Sequence, residues 1–273
     1  MQWIYEMMNG TSVAAMLSRV RENRPLIHHI TNNVTINDCA NITLCAGAAP
    51  VMAESDHEVA EMVTMAGALV LNIGTLSSVQ VDAMLIAGQK ANELGIPVIL
   101  DPVGAGATSY RTGTTLRLLA SLKISVLKGN AGEIGVIAGS GGKVRGVDSA
   151  GLTGDPVETA RKCALTTGCT VAMTGPDDII TDGRRVFVVK NGHPMMDRLS
   201  GTGCMAASVT GAFAAVSDDY TESSAAALAV FGRAGEIASG KAEGPYSFRT
   251  ALFDSLASIA AADIASHTRI TEL

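Results

Sequence analysis

The chain has 273 residues, 47% of them apolar and only 4% aromatic, which is long enough to bury a large α/β core built mainly from aliphatic side chains. Its net charge of −6 is dispersed and argues against non-specific binding to nucleic acid or anionic membrane. Five cysteines (Cys39, Cys45, Cys163, Cys169 and Cys204) form no C-x-x-C pair, so reduced thiols and a cytoplasmic location are expected rather than a zinc site or disulfides.

Residues 1–10 read as a short extension, without the basic-then-apolar pattern of a secretory signal. No stretch reaches the roughly 18 apolar residues a membrane span needs. A helix follows over 13–23, capped by Thr11 or Ser12 and ended by Pro25. PLIHHIT (25–31) is a short buried strand, and 35–46 a helix of small residues stopped by Gly47. Another short strand opens APVMAES (49–55), and 56–66 reads as helical. From there the alternation is regular: a strand at 68–74, a helix at 77–95 between Ser77 or Ser78 and Gly95, and a strand at 96–104. A helix at 112–122, a strand at 124–130 and a helical turn or two at 131–139 come next. Residues 139–151 read as a flexible glycine-rich loop. A helix at 155–168, a strand at 169–175 and a hairpin over 177–192 turning at Asp182-Gly183 precede helices at 203–217, 221–240 and 248–266.

Strands alternating with helices predict an α/β fold: a central, mainly parallel sheet with helices on both faces, in three layers α/β/α. No linker or composition break divides the chain, so 1–273 is read as a single domain. Ligands of such sheets sit beyond the carboxyl ends of the strands. That rule pools Asn32, Met52, Asn72, Asp101, Lys128, Asn130, Glu133, Thr174 and Cys204.

The stretch RLSGTGCMAASVTGAF (198–213) organises this set. Gly201 and Gly203 stand where a buried helix begins, and unpaired N–H groups with the helix dipole favour an anion there. Cys204, at the same terminus, is expected to have a lowered thiol pKa; it is also readable as a bystander. Asp101 and Glu133 suit a divalent cation, directly or through water, or else cap a turn and a helix start. Lys128 suits a phosphate as a point charge, or lies on the surface. Thr174 either bonds a phosphate or begins a turn. Adjacent His28 and His29 point to opposite faces of a strand and so do not form one site. P-loop, protein-kinase, zincin and nucleophile-elbow motifs are absent from the sequence.

The segments TNNV (31–34), APVMAES (49–55), ALVLNIGTLS (68–77), IPVILDPVGAGAT (96–108), KGNAGEI (128–134), MTGPDD (173–178), SGTGC (200–204) and EGPYSF (243–248) together resemble the hydroxyethylthiazole kinase family, a ribokinase-like family. The likeness runs in order from about 20 to 250. It implies phosphorylation of the alcohol of 4-methyl-5-(2-hydroxyethyl)thiazole by ATP with Mg²⁺, in thiamine biosynthesis or salvage. It implies a homotrimer with active sites between subunits. Met52 and Gly201 match thiazole-binding positions, with Asn32 and Val34 nearby. Lys128 and Thr174 match ATP-binding positions, and Asn130 is grouped with them. Asp101 and Glu133 match the acidic pair that organises magnesium and phosphates. The turn with Gly201, Gly203 and Cys204 matches the anion hole for the transferring group, where other ribokinase-like kinases place an aspartate base at the Cys204 position. Three departures are visible: Lys128 replaces a usual arginine, Asp197-Arg198-Leu199 replaces Thr-Lys-Val, and Tyr246 replaces a common glycine. The alternatives are a ribokinase-like kinase for another small alcohol, such as hydroxymethylpyrimidine or a sugar, and a non-catalytic nucleotide-binding protein of the same fold.

Overall fold

Residues 8–140, 144–145, 148–149 and 154–273 are described by a computed structural model. Most of the expected N-terminal extension and of the glycine-rich loop at 139–151 lies outside them. The chain begins with α1 (Gly10–Asn23), β1 (Leu26–Ile30), α2 (Ile36–Ala46), β2 (Ala49–Val51) and α3 (Val59–Val63). The regular alternation follows as β3 (Ala68–Asn72), α4 (Ser78–Leu94), β4 (Val98–Asp101), α5 (Ser109–Ser121), β5 (Val126–Asn130) and α6 (Ala131–Ile137). Then come β6 (Val144–Arg145), β7 (Asp148–Ser149), α7 (Pro156–Thr167), β8 (Thr170–Thr174), β9 (Asp178–Thr181) and β10 (Val186–Val189). The chain ends with α8 (Thr202–Ala214), α9 (Tyr220–Ser239), α10 (Pro245–Ser258), α11 (Ala261–His267) and β11 (Ile270–Glu272).

Nine strands form one sheet in the order β11-β10-β9-β8-β5-β4-β3-β1-β2. From β2 to β8 the neighbours run parallel, and β9, β10 and β11 continue the edge antiparallel. The strands alternate between two cores. Val70, Ile99 and Val126 pack toward α1, α2, α8, α9 and α10, while Leu69, Leu71, Leu100 and Leu127 pack toward α3, α4, α5, α6 and α7. The expected three-layer α/β/α arrangement is present. Among the described residues no helix is long and apolar enough to cross a membrane.

Several boundaries differ from the sequence reading. Asn9, not Thr11 or Ser12, caps α1, and Ser12 returns the bond as the third residue of a capping box. The α5 helix starts at Ser109 because Thr108 accepts the Arg111 N–H. The 56–66 helix contracts to α3. Residues 144–149, read as loop, include the short antiparallel pair β6–β7. The turn after β10 runs on into a 3₁₀ helix at Pro194–Arg198. The single helix expected at 248–266 is two, α10 and α11, and β11 was not anticipated.

The central α8 lies directly on the sheet. A Cβ on Gly211 would stand 2.7 Å from Val70 Cγ2, so the helix approaches the strands as closely as a glycine permits. That contact points the N-terminus of α8 at the carboxyl ends of β1, β3, β4 and β5.

Candidate active site

The strand register assembles the site. Asn72 and Asp101 are paired neighbours at the ends of β3 and β4. Asn72 Nδ2 donates to Asp101 Oδ2 at 2.8 Å. From β5, Lys128 Nζ donates to Asp101 Oδ1 at 3.3 Å. Lys128 is only 3% exposed and Asp101 1%, so the lysine is not the surface residue that one reading allowed. Burial would lower its ammonium, but Asp101, Glu133 and Cys204 together hold it above the ordinary lysine value. Burial in turn raises the Asp101 carboxyl, against the pull of Lys128 and the Asn72 amide.

Gly201 is sterically required, and Gly203 packs closely. Gly201 has φ +95°, and a Cβ on it would stand 2.4 Å from Thr35 Cγ2. A Cβ on Gly203 would lie 3.2 Å from Lys128 Nζ, which sets the ammonium against the first turn of α8. No side chain caps α8 at Gly201, so its first N–H groups are left for another partner.

Cys204 is half-buried, and its Sγ accepts from Asn32 Nδ2 at 3.3 Å. Its thiol is pushed above the ordinary value, contrary to the sequence expectation. Burial is the main cause and Asp101 adds to it, outweighing Lys128 and hydrogen bonds from Thr35 and Asn72. The helix terminus alone does not decide the thiol's charge.

Glu133 has the capping role. Its Oε2 accepts from Asn130 N at 2.8 Å, while Asn130 Oδ1 accepts from Glu133 N at 2.9 Å, closing a capping box at the start of α6. Its Oε1 accepts from Gly104 N at 2.7 Å, tying α6 to the turn after β4. Burial, with Asp101 nearby, pushes this carboxyl up to about 7. Thr174, at the end of β8, is paired in register with Asn130 and donates from Oγ1 to Gly129 O at 3.4 Å.

Asn32 holds the turn at 32–35. Its Oδ1 accepts from Val34 N, Thr35 N and Thr35 Oγ1, each at 3.1 Å. Val34 is thereby presented to solvent, 70% exposed. Met52 is half-buried just beyond β2, and the carbonyl of the next residue, Ala53, accepts from His28 Nε2 at 2.7 Å. His29 faces the other way, toward Ser208 Oγ at 3.2 Å, as adjacent strand residues must.

Asn32, Asn72, Asp101, Lys128, Gly203 and Cys204 therefore form one connected cluster, with Gly201 packed on Thr35 beside it. Asn130, Glu133 and Thr174 adjoin the cluster on the β5–β8 side; Met52 and Val34 lie on the β1–β2 side. Sequence reasoning missed Arg111, whose guanidinium donates to the carbonyls of Ile73, Gly74 and Val103 and fixes two strand-end turns; nothing in its surrounding pattern signals this. It also missed Asp178, whose Oδ1 accepts from Gly175 N and whose carboxyl burial raises to about 7. Asn72 was pooled by its position but given no role.

As for a metal, no group of three His, Cys, Asp or Glu side chains is arranged to hold one among the described residues. Both carboxylate oxygens of Asp101 and both of Glu133 already accept protein donors. The donor set fits a hydrated cation reached through water and does not fit a dedicated protein cage.

Comparison with known proteins agrees with this geometry. The model of the hydroxyethylthiazole kinase family matches residues 17–262. The chain is 68% identical to a hydroxyethylthiazole kinase of Methanoculleus marisnigri, over 97% of this chain and 95% of that protein. It is 61% identical to one of Methanocella arvoryzae, over 96% of this chain and 99% of that protein. The solved hydroxyethylthiazole kinase structure from Pyrococcus horikoshii superposes with a TM-score of 0.88 at 42% identity, covering 96% of this chain and 99% of that one. A ribokinase-like superfamily protein from Enterococcus faecalis superposes at 0.65 with 13% identity, a likeness of fold alone. With the family model spanning most of its length and relatives this similar over nearly all of it, the chain belongs to the hydroxyethylthiazole kinase family.

Proposed function

We propose that the chain transfers the γ-phosphoryl group of ATP to the hydroxyl of 4-methyl-5-(2-hydroxyethyl)thiazole, as a single-domain enzyme of thiamine biosynthesis or salvage. The observation that carries this reading is the meeting of Lys128 with the uncapped first turn of α8. A buried ammonium 3.2 Å from the Cβ position of Gly203, beside a glycine turn with free N–H groups, is built for polyanionic oxygens. The thiazole packs against Met52 and the Asn32–Val34 turn, with its hydroxyl toward Cys204.

Lys128 and the N–H groups of 201–204 bind and orient the phosphoryl group and take up charge that grows on its oxygens. Lys128 remains protonated throughout, because Asp101 is its buried partner. Thr174 and Asn130 border the nucleotide side. The raised pKa keeps Cys204 a protonated thiol, so it does not take the hydroxyl proton; that proton passes late to water, because a loose transition state asks little of a base, and Cys204 helps to shape the acceptor side. Positioning then supplies most of the acceleration. Asp101 and Glu133 would hold Mg²⁺ through water, and the ion would supply charge neutralisation for the phosphates. The proposal includes a cytoplasmic homotrimer with active sites between subunits; the family membership supports it, and sedimentation equilibrium tests it.

The test of function is ADP release by purified protein with ATP, Mg²⁺ and hydroxyethylthiazole, beside a hydroxymethylpyrimidine control. Turnover with the thiazole alone supports the reading. Turnover with the pyrimidine alone overturns the substrate, and ATP binding without turnover of either overturns the activity.

A further inference from the structure

Two asparagine amides join the ends of the site, and their orientations are forced. Asn32 Oδ1 is occupied by three donors from Val34 and Thr35, so its Nδ2 faces the other way. That Nδ2 donates to Asn72 Oδ1 at 2.9 Å and to Cys204 Sγ at 3.3 Å. Asn72 Oδ1 also accepts from Gly74 N at 2.9 Å. With its oxygen taken twice, Asn72 must aim Nδ2 at Asp101 Oδ2. A flip would set a donor against two donors and an oxygen against a carboxylate, leaving buried polar groups unsatisfied. Space is also closed: a Cβ on Gly74 would stand 2.8 Å from Asn32 Cβ and 3.0 Å from Asn72 Oδ1. Asn72 itself is 1% exposed, so no part of it serves solvent.

The hydrogen bonds run without a break from Cys204 through Asn32, Asn72 and Asp101 to Lys128. The first two residues shape the acceptor side and the last two the nucleotide side. We propose that Asn72 is the positioning residue that sets the two sides in register, through its carbonyl toward Asn32 and its amide N–H toward Asp101. The proposal rests on the thiazole-kinase reading for its substrates. Its oxygen fixes Asn32, and hence the 32–35 turn and the hydrogen bond to Cys204. Its N–H fixes one oxygen of Asp101 and leaves the other to Lys128. Asn72 acts on the reaction through these partners and through its hydrogen bond to the Cys204 thiol, without touching the reacting atoms.

The two halves of one amide can be separated by substitution. Asn72→Ala removes both functions. Asn72→Asp keeps the shape and the acceptor for Asn32 and Gly74, but sets a second buried carboxyl against Asp101, so the pair shares one proton and Asp101 no longer answers Lys128 as a full carboxylate. Steady-state kinetics of the full chain with ATP, Mg²⁺ and hydroxyethylthiazole should split accordingly. Asn72→Asp lowers kcat by roughly 10–100-fold, the usual effect of losing a partner that orients a functional side chain, with the thiazole KM within about twofold of wild type. Asn72→Ala lowers kcat similarly and also raises the thiazole KM severalfold. Wild-type kcat and KM in both variants, even with lowered thermal midpoints, would reduce Asn72 to a structural role and overturn the proposal. Equal rises of KM in both would overturn it as well. Asn72→Asp is isosteric and decides the matter if Asn72→Ala fails to fold. A wild-type chain without thiazole turnover is a failure of the functional reading instead. The positioning role is then read from alkylation of Cys204 by iodoacetamide, mapped by peptide mass: faster in Asn72→Ala than in Asn72→Asp if the role holds, equal in the two variants if it does not.

Discussion

Gly201→Ala tests the turn at its tightest point. The backbone there has φ +95° and ψ 0°, a conformation that costs an L-residue about 1–2 kcal/mol. The added methyl would also fall 2.4 Å from Thr35 Cγ2, where carbon atoms normally rest at about 3.5–4.0 Å. Relief needs a displacement of about 1 Å, and such overpacking costs about 1–3 kcal/mol. The sum is a loss of about 2–5 kcal/mol, measured by urea unfolding. Turnover should fall further than stability alone explains, because the moved N–H groups are those proposed to hold the phosphoryl oxygens; losing one such donor costs roughly 10²–10³ in kcat. The two contributions separate in a second variant. Thr35→Ser deletes Cγ2 but keeps the hydroxyl that donates to Asn32 Oδ1. Added to Gly201→Ala, it should recover the packing share, about 1–3 kcal/mol, and part of the turnover, while the dihedral share stays lost. Gly201→Ala with wild-type turnover would refute the anion-hole assignment. A double variant no better than the single one would refute the steric account.

Cys204→Ala should lower kcat by only roughly tenfold, well short of the 10²–10⁴ of a full general base; a larger loss in steady-state assays would make the thiol the obligatory base. Lys128→Met leaves the Asp101 charge buried without its partner and should cost about 3–5 kcal/mol in thermal unfolding, whereas Lys128→Arg, which keeps the charge, should cost less than half of that. His29 is buried between β1 and α8, and burial lowers its pKa to about 4. The unfolded chain binds a proton near pH 6.5 and the folded one does not until about 4. Stability is therefore full above pH 6.5 and is lost as pH falls toward 4, by about 3 kcal/mol. His29→Asn should flatten that part of the stability–pH curve measured by denaturant unfolding, and an unchanged slope would reject the assignment.

The sheet was legible because its strands are short apolar runs fenced by glycine, proline or asparagine, and because strands and helices alternate. Ser77 and Gly95 around α4, and Asp155 and Gly168 around α7, mark their helices in the sequence and in the structure alike. Where punctuation is weak, the reading slipped. Nothing at 258–261 resembles a break, so α10 and α11 read as one helix. Residues 270–272 have no period of their own and become β11 only by pairing with β10. In the site, the strand-end rule pooled from positions alone several residues that the structure brings into contact. It could not tell which polar group meets which. Glu133 looked equally like a metal ligand and a cap, and only the Gly104 and Asn130 N–H groups show it capping. Cys204 illustrates the opposite limit: a helix terminus is visible in sequence, but burial and the nearness of Asp101 are not, and they reverse the direction of its shift.

Position 128 brings these observations to one electrostatic point. The ammonium of Lys128 lies against the first turn of α8, so a full positive charge faces the positive end of a helix dipole. Asp101 offsets this from 3.3 Å. Lysine meets this space with a compact ammonium, and the glycine at 203 is what admits it. An arginine fork at the same place would need more room at the turn while offering two parallel bonds to a phosphate. A phosphoryl oxygen entering between Lys128 and the 201–204 N–H groups would set negative charge between two positive ones, removing a repulsion as well as adding attractions. Affinity for the nucleotide then depends on how rigidly Lys128 is held at the turn, and its ion pair with Asp101 is what holds it there.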